Sequence, residues 1–201
     1  MQPTSVSLLE RLRDKPSDAD WHYLVGAYTP LIHGWLRRHA ALSAADADDL
    51  TQEVLSVVVR ELPSFRHSQQ AGAFRHWLRN VTVNRVRNFL RSSHGRAAGS
   101  GDSAILACLS QLEDSQSHLS QVWDREHDLH VAGQLLKQME REFQPKTWLA
   151  FKRTALDGLR APEVAAELGM TVKAVVVAKS RILKRLREEA QGLIDAVPPT
   201  S

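Results

Sequence analysis

The sequence predicts an all-α protein built from two small helical domains joined by a flexible linker. Three observations carry that expectation. Glycine and proline are sparse, 10 and 8 among 201 residues, and β-branched residues come in short runs, so a sheet has little to build on. Apolar residues recur at steps of three and four over several long stretches. Between two groups of such stretches lies 92–104, SSHGRAAGSGDSA, small in side-chain volume and rich in Gly and Ser. The expected division is 1–94, a linker over 95–126, and 127–197. Hydrophobic residues make up 43% and charged residues 24%, a globular balance. Cys108 is the only cysteine, which excludes an internal disulfide and a paired-cysteine metal knuckle. No apolar run approaches the roughly 20 residues that span a bilayer, and the first residues lack the order of a signal peptide. A soluble, cytoplasmic chain with no membrane partner is expected.

The elements follow in order. In 17–39, Trp21, Leu24, Val25, Tyr28, Leu31, Ile32 and Trp35 form one apolar helical face. Ser17 is a fair N-cap, and Pro30 should kink or split the helix near Tyr28. Ser43 with Asp46 three residues later starts a second helix that Pro63 stops. Leu50, Val54, Val57, Val58 and Leu62 share its apolar face, and Asp49, Gln52, Glu53, Ser56 and Arg60 make a polar stripe. After the loop PSFRHSQQAG, residues 73–92 form a basic helix with Phe74, Trp77, Leu78 and Val81 as its seam. Asn80, Asn84, Arg87 and Arg91 line a different face. Val83, Val86, Phe89 and Leu90 drift off the seam, so this helix either bends or packs on two sides.

The acidic stretch LSQLEDSQSHLSQVWDREHD reads as a partly ordered connector. Helical steps resume at Leu129 through Ala132, Leu136, Met139 and Phe143, and close at Pro145. Thr147 should cap a helix carrying Trp148, Phe151 and Leu156 that ends at Asp157-Gly158. Pro162 suits the first turn of APEVAAEL, which stops at Gly169, and Thr171 caps VKAVVVAKSRILKRLREE. A short helix, a Gly-Met-Thr turn and a basic second helix form a helix-turn-helix arrangement; an ordinary helical hairpin is the other reading.

Charge is blocked along the chain: net −3 over 1–62, +7 over 63–96, −5 over 97–143 and +4 over 144–201. Seven arginines with no carboxylate in 63–96 have nothing of their own to pair with, which points to an external polyanion, nucleic acid being the commonest.

The strings DDLTQEV, WLRNVTVNRVRNFLR and VAAELGMTVKAVVVAKSRILKRLREE, in that order, give a chain that resembles the bacterial RNA polymerase sigma factors of the extracytoplasmic-function group. The resemblance spans roughly 5–94 and 127–190. It implies one domain that binds the polymerase clamp helices and the minus-ten promoter element, and a second that binds the polymerase flap and the minus-thirty-five element. Asp48, Asp49, Gln52 and Glu53 match the clamp-binding stretch, and an acidic stripe suits a basic protein partner. Phe65, Arg66, His67, Ser68 and Gln69 match the loop that captures an unstacked minus-ten base, and supply stacking and hydrogen-bonding groups. Asn80, Asn84, Arg87 and Arg91 match the adjacent promoter-binding helix; arginine neutralises phosphates and asparagine can read a base edge. Thr171, Lys173, Val176, Val177, Lys179, Ser180, Arg181 and Lys184 fall on the minus-thirty-five helix. Many members carry basic residues where Val176 and Ala178 stand here, and early valines favour thymine methyl groups. The other reading makes Val175 and Val176 core and Val177 an idle surface residue. Core RNA polymerase and promoter DNA are the implied partners, an anti-sigma factor a further candidate.

An enzyme is not expected. There is no HExxH, no Gly-rich phosphate loop and no GxSxG, and no cofactor or metal is implied. His127 and His130 could share a helix face, but two imidazoles make half a metal site, and the pair reads as solvated. Cys108 falls in the linker region with nothing to activate it. A free-standing helix-turn-helix regulator with a sensing or dimerising first domain is the alternative function. A recombinase-like enzyme would need an activated Ser or Tyr, whereas Tyr23 and Tyr28 lie in or beside an apolar stripe.

Overall fold

The computed structural model describes residues 7–40, 42–65, 72–93 and 102–194. Among the described residues the extended elements are all helices, as the sequence predicts: α1 Leu8–Asp14, α2 Asp18–His39, α3 Ala44–Glu61, α4 Ala73–Ser93, α5 Asp102–Glu113, α6 His118–Glu142, α7 Pro145–Phe151, α8 Ala161–Leu168 and α9 Val172–Ala190. The chain forms two compact units, one comprising Leu8–Val131 with Gly192–Asp195 and the other comprising Ala132–Gln191, so α6 contributes to both.

In the first unit, local sequence sets the helix starts. Ser17 caps α2 in a reciprocal box with Asp20, and the Ser43 side chain accepts the Asp46 N–H at the start of α3. Leu50, Val54, Val57 and Val58 of α3 turn inward with Leu24, Ile32, Trp35 and Leu36 of α2. Of the kink or split expected at Pro30, the split does not occur, and α2 runs unbroken through it. The carbonyl that loses its donor belongs to Gly26, four residues back. Both residues are exposed, so water is at hand, and Thr29 Oγ1 donates to the neighbouring Val25 carbonyl at 2.7 Å. The choice left open for α4 is settled in favour of packing on two sides: it lies against α3 and α5, burying Phe74 and Leu78 together with Val83, Val86 and Leu90.

The expected linker over 95–126 is corrected by the structure. Residues 94–101 lie outside the described set, but α5 and the start of α6 occupy most of the remainder and belong to the first unit. Leu109, Leu112 and Trp123 are buried, with the Trp123 ring edge-on to Trp35 at 5.2 Å. Ser120 Oγ donates to the Leu112 carbonyl at 2.8 Å, tying the turn between α5 and α6. The half-buried Cys108 donates its thiol to the His39 carbonyl at 3.2 Å, and burial raises its pKa, so it is packed rather than activated. The apolar register of α6 is also shifted: Leu129 is 69% exposed, and Val131, Leu135 and Met139 are buried.

The second unit gathers Ala150, Val164, Ala165, Val175 and Ala178 into a small core, with Ala161, Leu168 and Met170 against it. Pro145 takes the first helical position of α7 and Gln144 the cap, displacing the expected Thr147. A π turn, Lys152–Leu156, follows and ends before Gly158 at φ 74°. Gly169 closes α8 in the left-handed conformation, and Thr171 caps α9 by accepting the Ala174 N–H. Arg185 of α9 donates to Glu142 at the end of α6, 2.9 Å away.

Candidate nucleic-acid interface

Three surfaces carry the candidate residues. The first is on α3, where Asp48, Asp49, Gln52 and Glu53 are all exposed. Asp48 Oδ1 lies 3.1 Å from His33 Nε2 of α2. Beside the acids runs a groove of about 620 Å³ between α2 and α3, lined by Val25, Thr29, Gln52, Leu55, Val59 and Arg60 among others. Acid next to an apolar groove suits a partner that brings both basic and aliphatic side chains.

The second surface is α4 with the segment before it. Asn80, Asn84 and Arg91 are exposed and Arg87 is half-buried. Arg66, His67, Ser68 and Gln69 lie outside the described residues. Phe65 is described and differs from an open stacking group: its ring packs 4.9 Å from Trp77 and 6.1 Å edge-on from Phe74. Trp77, read from sequence as seam, is only half-buried and stands three residues before Asn80. The Phe65–Trp77 pair therefore places aromatic surface beside the asparagines, a role that the three-residue step from Trp77 to Asn80 could have suggested.

Three of the α4 arginines, which have no carboxylate within their own stretch, find one in the acidic stretch that follows it rather than in an external polyanion. Arg75 Nη1 donates to both carboxylate oxygens of Asp128 at 2.8 Å, and its Nε is 3.0 Å from Asp124 Oδ1. Arg79 Nη1 is 3.5 Å from the same Asp124 oxygen, and Arg87 pairs with Glu113, its Nη2 lying 2.6 Å from Oε2. The side chains of Arg75 and Arg79 are 9% and 3% exposed. Aspartates of the acidic stretch thus neutralise the inward side of α4, and the outward side keeps Asn80, Asn84 and Arg91.

His127 and His130 are likewise not a solvated pair. His127 is fully buried; its Nδ1 lies 3.0 Å from Asp128 and its Nε2 3.2 Å from the Tyr28 hydroxyl. A carboxylate only accepts, so Nδ1 carries the proton and Nε2 accepts from Tyr28. Burial holds the His127 pKa below its ordinary value despite Asp128, and lifts that of Tyr28 well above its own. Burial alone would raise the Asp128 carboxyl, but hydrogen bonds from His127 and Arg75 and the charge of Arg75 outweigh it and leave it lowered. His130 Nε2 donates to the Ala27 carbonyl at 2.6 Å. Sequence reasoning missed this network.

The third surface is α9 in the second unit. Thr171, Lys173, Val176, Val177, Ser180, Arg181 and Lys184 are exposed, Lys179 is half-buried, and Val175 is fully buried. The reading that placed Val176 in the core is therefore corrected: it is 53% exposed. Lys184 Nζ is 3.8 Å from Glu188 one turn on.

An all-helical first unit with an acid-bordered groove on one helix and an asparagine–arginine face on the next has the surfaces of a module that joins a protein partner to nucleic acid. Residues 24–96, which include α3, α4 and most of α2, match the family described as Sigma-70 region 2. The match supports a sigma-70-type factor acting in transcription initiation. No curated protein matches the chain. Among the described residues no helix is long and apolar enough to cross a membrane, and no group of three or more His, Cys, Asp or Glu is placed to hold a metal ion.

Proposed function

We propose that the chain is a sigma factor of the extracytoplasmic-function group, a non-catalytic subunit that directs core RNA polymerase to its promoters. The observation that carries the reading is the Sigma-70 region 2 match over 24–96, on a unit whose α3 and α4 expose two surfaces of different chemistry. On this reading Asp48, Asp49, Gln52 and Glu53 receive the polymerase clamp helices along the groove between α2 and α3. The face of Asn80, Asn84, Arg87 and Arg91, with the segment Phe65–Gln69, takes the melted minus-ten strand, and arginine positions phosphates while asparagine reads bases. In the second unit α8, the Gly169–Thr171 turn and α9 have the order of a helix-turn-helix and serve the minus-thirty-five element.

The test is reconstitution of the full chain with core polymerase and mapping of transcript starts on genomic DNA. Chain-dependent starts that share upstream sequence support the reading, and their absence overturns it. Asp49→Arg and Glu53→Arg should each weaken polymerase binding about tenfold with helicity unchanged, the scale of one lost rim-to-core charge contact. Equal affinity in both variants would remove α3 from the polymerase interface.

A further inference from the structure

The outward face of α9 changes character along its length. Val172, Val176 and Val177 are 45%, 53% and 37% exposed, while Val175, Ala178, Ile182 and Leu186 face the core. Lys173, Arg181 and Lys184 share the exposed side, and no acid appears on the helix before Glu188. The fold itself does not call for these valines: β-branched residues are mediocre helix formers, and three together leave apolar surface in water. The basic residues around them make the complementary partner a polyanion, and the helix-turn-helix order presents the N-terminal part of its second helix to base edges in a major groove.

The side chains at that end narrow what can be read. Valine has no guanidinium or amide for guanine or adenine, and the one apolar group displayed on a major-groove base edge is the C5 methyl of thymine. Val172 and Val176 are one helical turn apart, about 6 Å along the axis, close to two base-pair steps of about 3.4 Å. We infer that Val172, Val176 and Val177 read thymine methyl groups, so that the upstream promoter element of this chain is selected by thymines about two base pairs apart. Lys173, Arg181 and Lys184 hold the flanking phosphates. The inference rests on the sigma-factor reading and names what its upstream site recognises.

The test uses the full chain with core polymerase on a pool of promoter duplexes randomised upstream, prepared once with thymine and once with deoxyuridine. Deoxyuridine pairs like thymine and lacks only the methyl group. In the thymine pool, initiating sequences should be enriched in thymine at two or more positions of the upstream element. In the deoxyuridine pool that preference should fall about fourfold per position, the equivalent of about 0.8 kcal/mol for one methyl removed from water. Val176→Ala, at an exposed site where alanine is the better helix former, should lose one preferred position in the thymine pool and respond to deoxyuridine no further there. Equal upstream enrichment in the two pools, or undiminished deoxyuridine sensitivity in Val176→Ala, overturns methyl reading and leaves α9 an electrostatic or protein-binding helix. Initiation with no upstream preference in the thymine pool also overturns the inference but not the sigma-factor reading. No chain-dependent initiation in either pool overturns both.

Discussion

Replacing Asp124 and Asp128 by asparagine should loosen the first part of α6 from α4. Removing one partner from a buried ion pair costs about 3–5 kcal/mol, because the remaining charge stays out of water. Here the arginine side is the buried one, with Arg75 and Arg79 at 9% and 3% exposure, while Asp124 and Asp128 are 28% and 34% exposed. Water at the carboxylate side and the second aspartate both soften a single loss, so Asp124→Asn or Asp128→Asn alone should cost about 1.5 kcal/mol. The double variant leaves neither carboxylate beside the two guanidiniums and should cost about 3–4 kcal/mol, a coupling beyond the sum of the singles. Amide hydrogen exchange of the full chain reads this directly. Peptides within 118–131 should lose about tenfold protection in each single variant and over a hundredfold in the double, with α9 peptides as the unchanged reference. Unchanged protection of 118–131 in the double variant would mean that Trp123 and its apolar neighbours hold α6 without the charges, and the electrostatic argument would fail.

Four further outcomes are expected. Asn80→Ala or Asn84→Ala should change which promoters are used, whereas Arg91→Ala should weaken all of them alike and reduce the salt slope by about one, as footprinting across a salt series would measure. Glu113→Gln removes a surface partner from Arg87 and should strengthen DNA binding by polymerase carrying this chain by up to about fivefold, since such pairs are worth at most about 1 kcal/mol. His127 is held neutral below its ordinary pKa of 6.5, so an unfolded chain takes up a proton there first. Stability of the first unit should be complete above pH 7 and decline as pH falls below about 6.5, visible as a falling urea midpoint that His127→Gln flattens. Gly169→Ala places a Cβ at φ 57° with nothing within 4 Å to clash, so backbone strain alone should cost about 1 kcal/mol in thermal unfolding of the second unit.

What the sequence disclosed was what is local. The caps at Ser17, Ser43 and Thr171 and the left-handed Gly169 depend on residues within one turn, and each appears where the spacing put it. The exposed stripe of Asp49, Gln52 and Glu53 followed from helical period. Partner choice across distance did not follow: charge blocks give the sign of a stretch, but nothing in them says that Arg75 meets Asp128 across a sequence separation of 53. A Gly/Ser-rich segment before 102 read as the end of a domain, although the apolar residues after it, Leu109, Leu112 and Trp123, had a core to reach. The same contacts bury His127, whose polar ring gave it the look of a surface residue, and Leu129 showed the converse, an apolar residue in helical phase that the true register turns outward.

The family match stops at residue 96, but the packing of the first unit does not. A recombinant fragment cut at that point would take Trp123 from the edge of Trp35, His127 from the Tyr28 hydroxyl, and both aspartates from Arg75 and Arg79. Its raw face would be indole and guanidinium together, a surface that adheres to hydrophobic debris and to nucleic acid of any sequence. Such a fragment would report stickiness rather than specificity in a binding screen. A fragment that retains these contacts extends to Val131, and its boundary should be placed there when the unit is produced by itself.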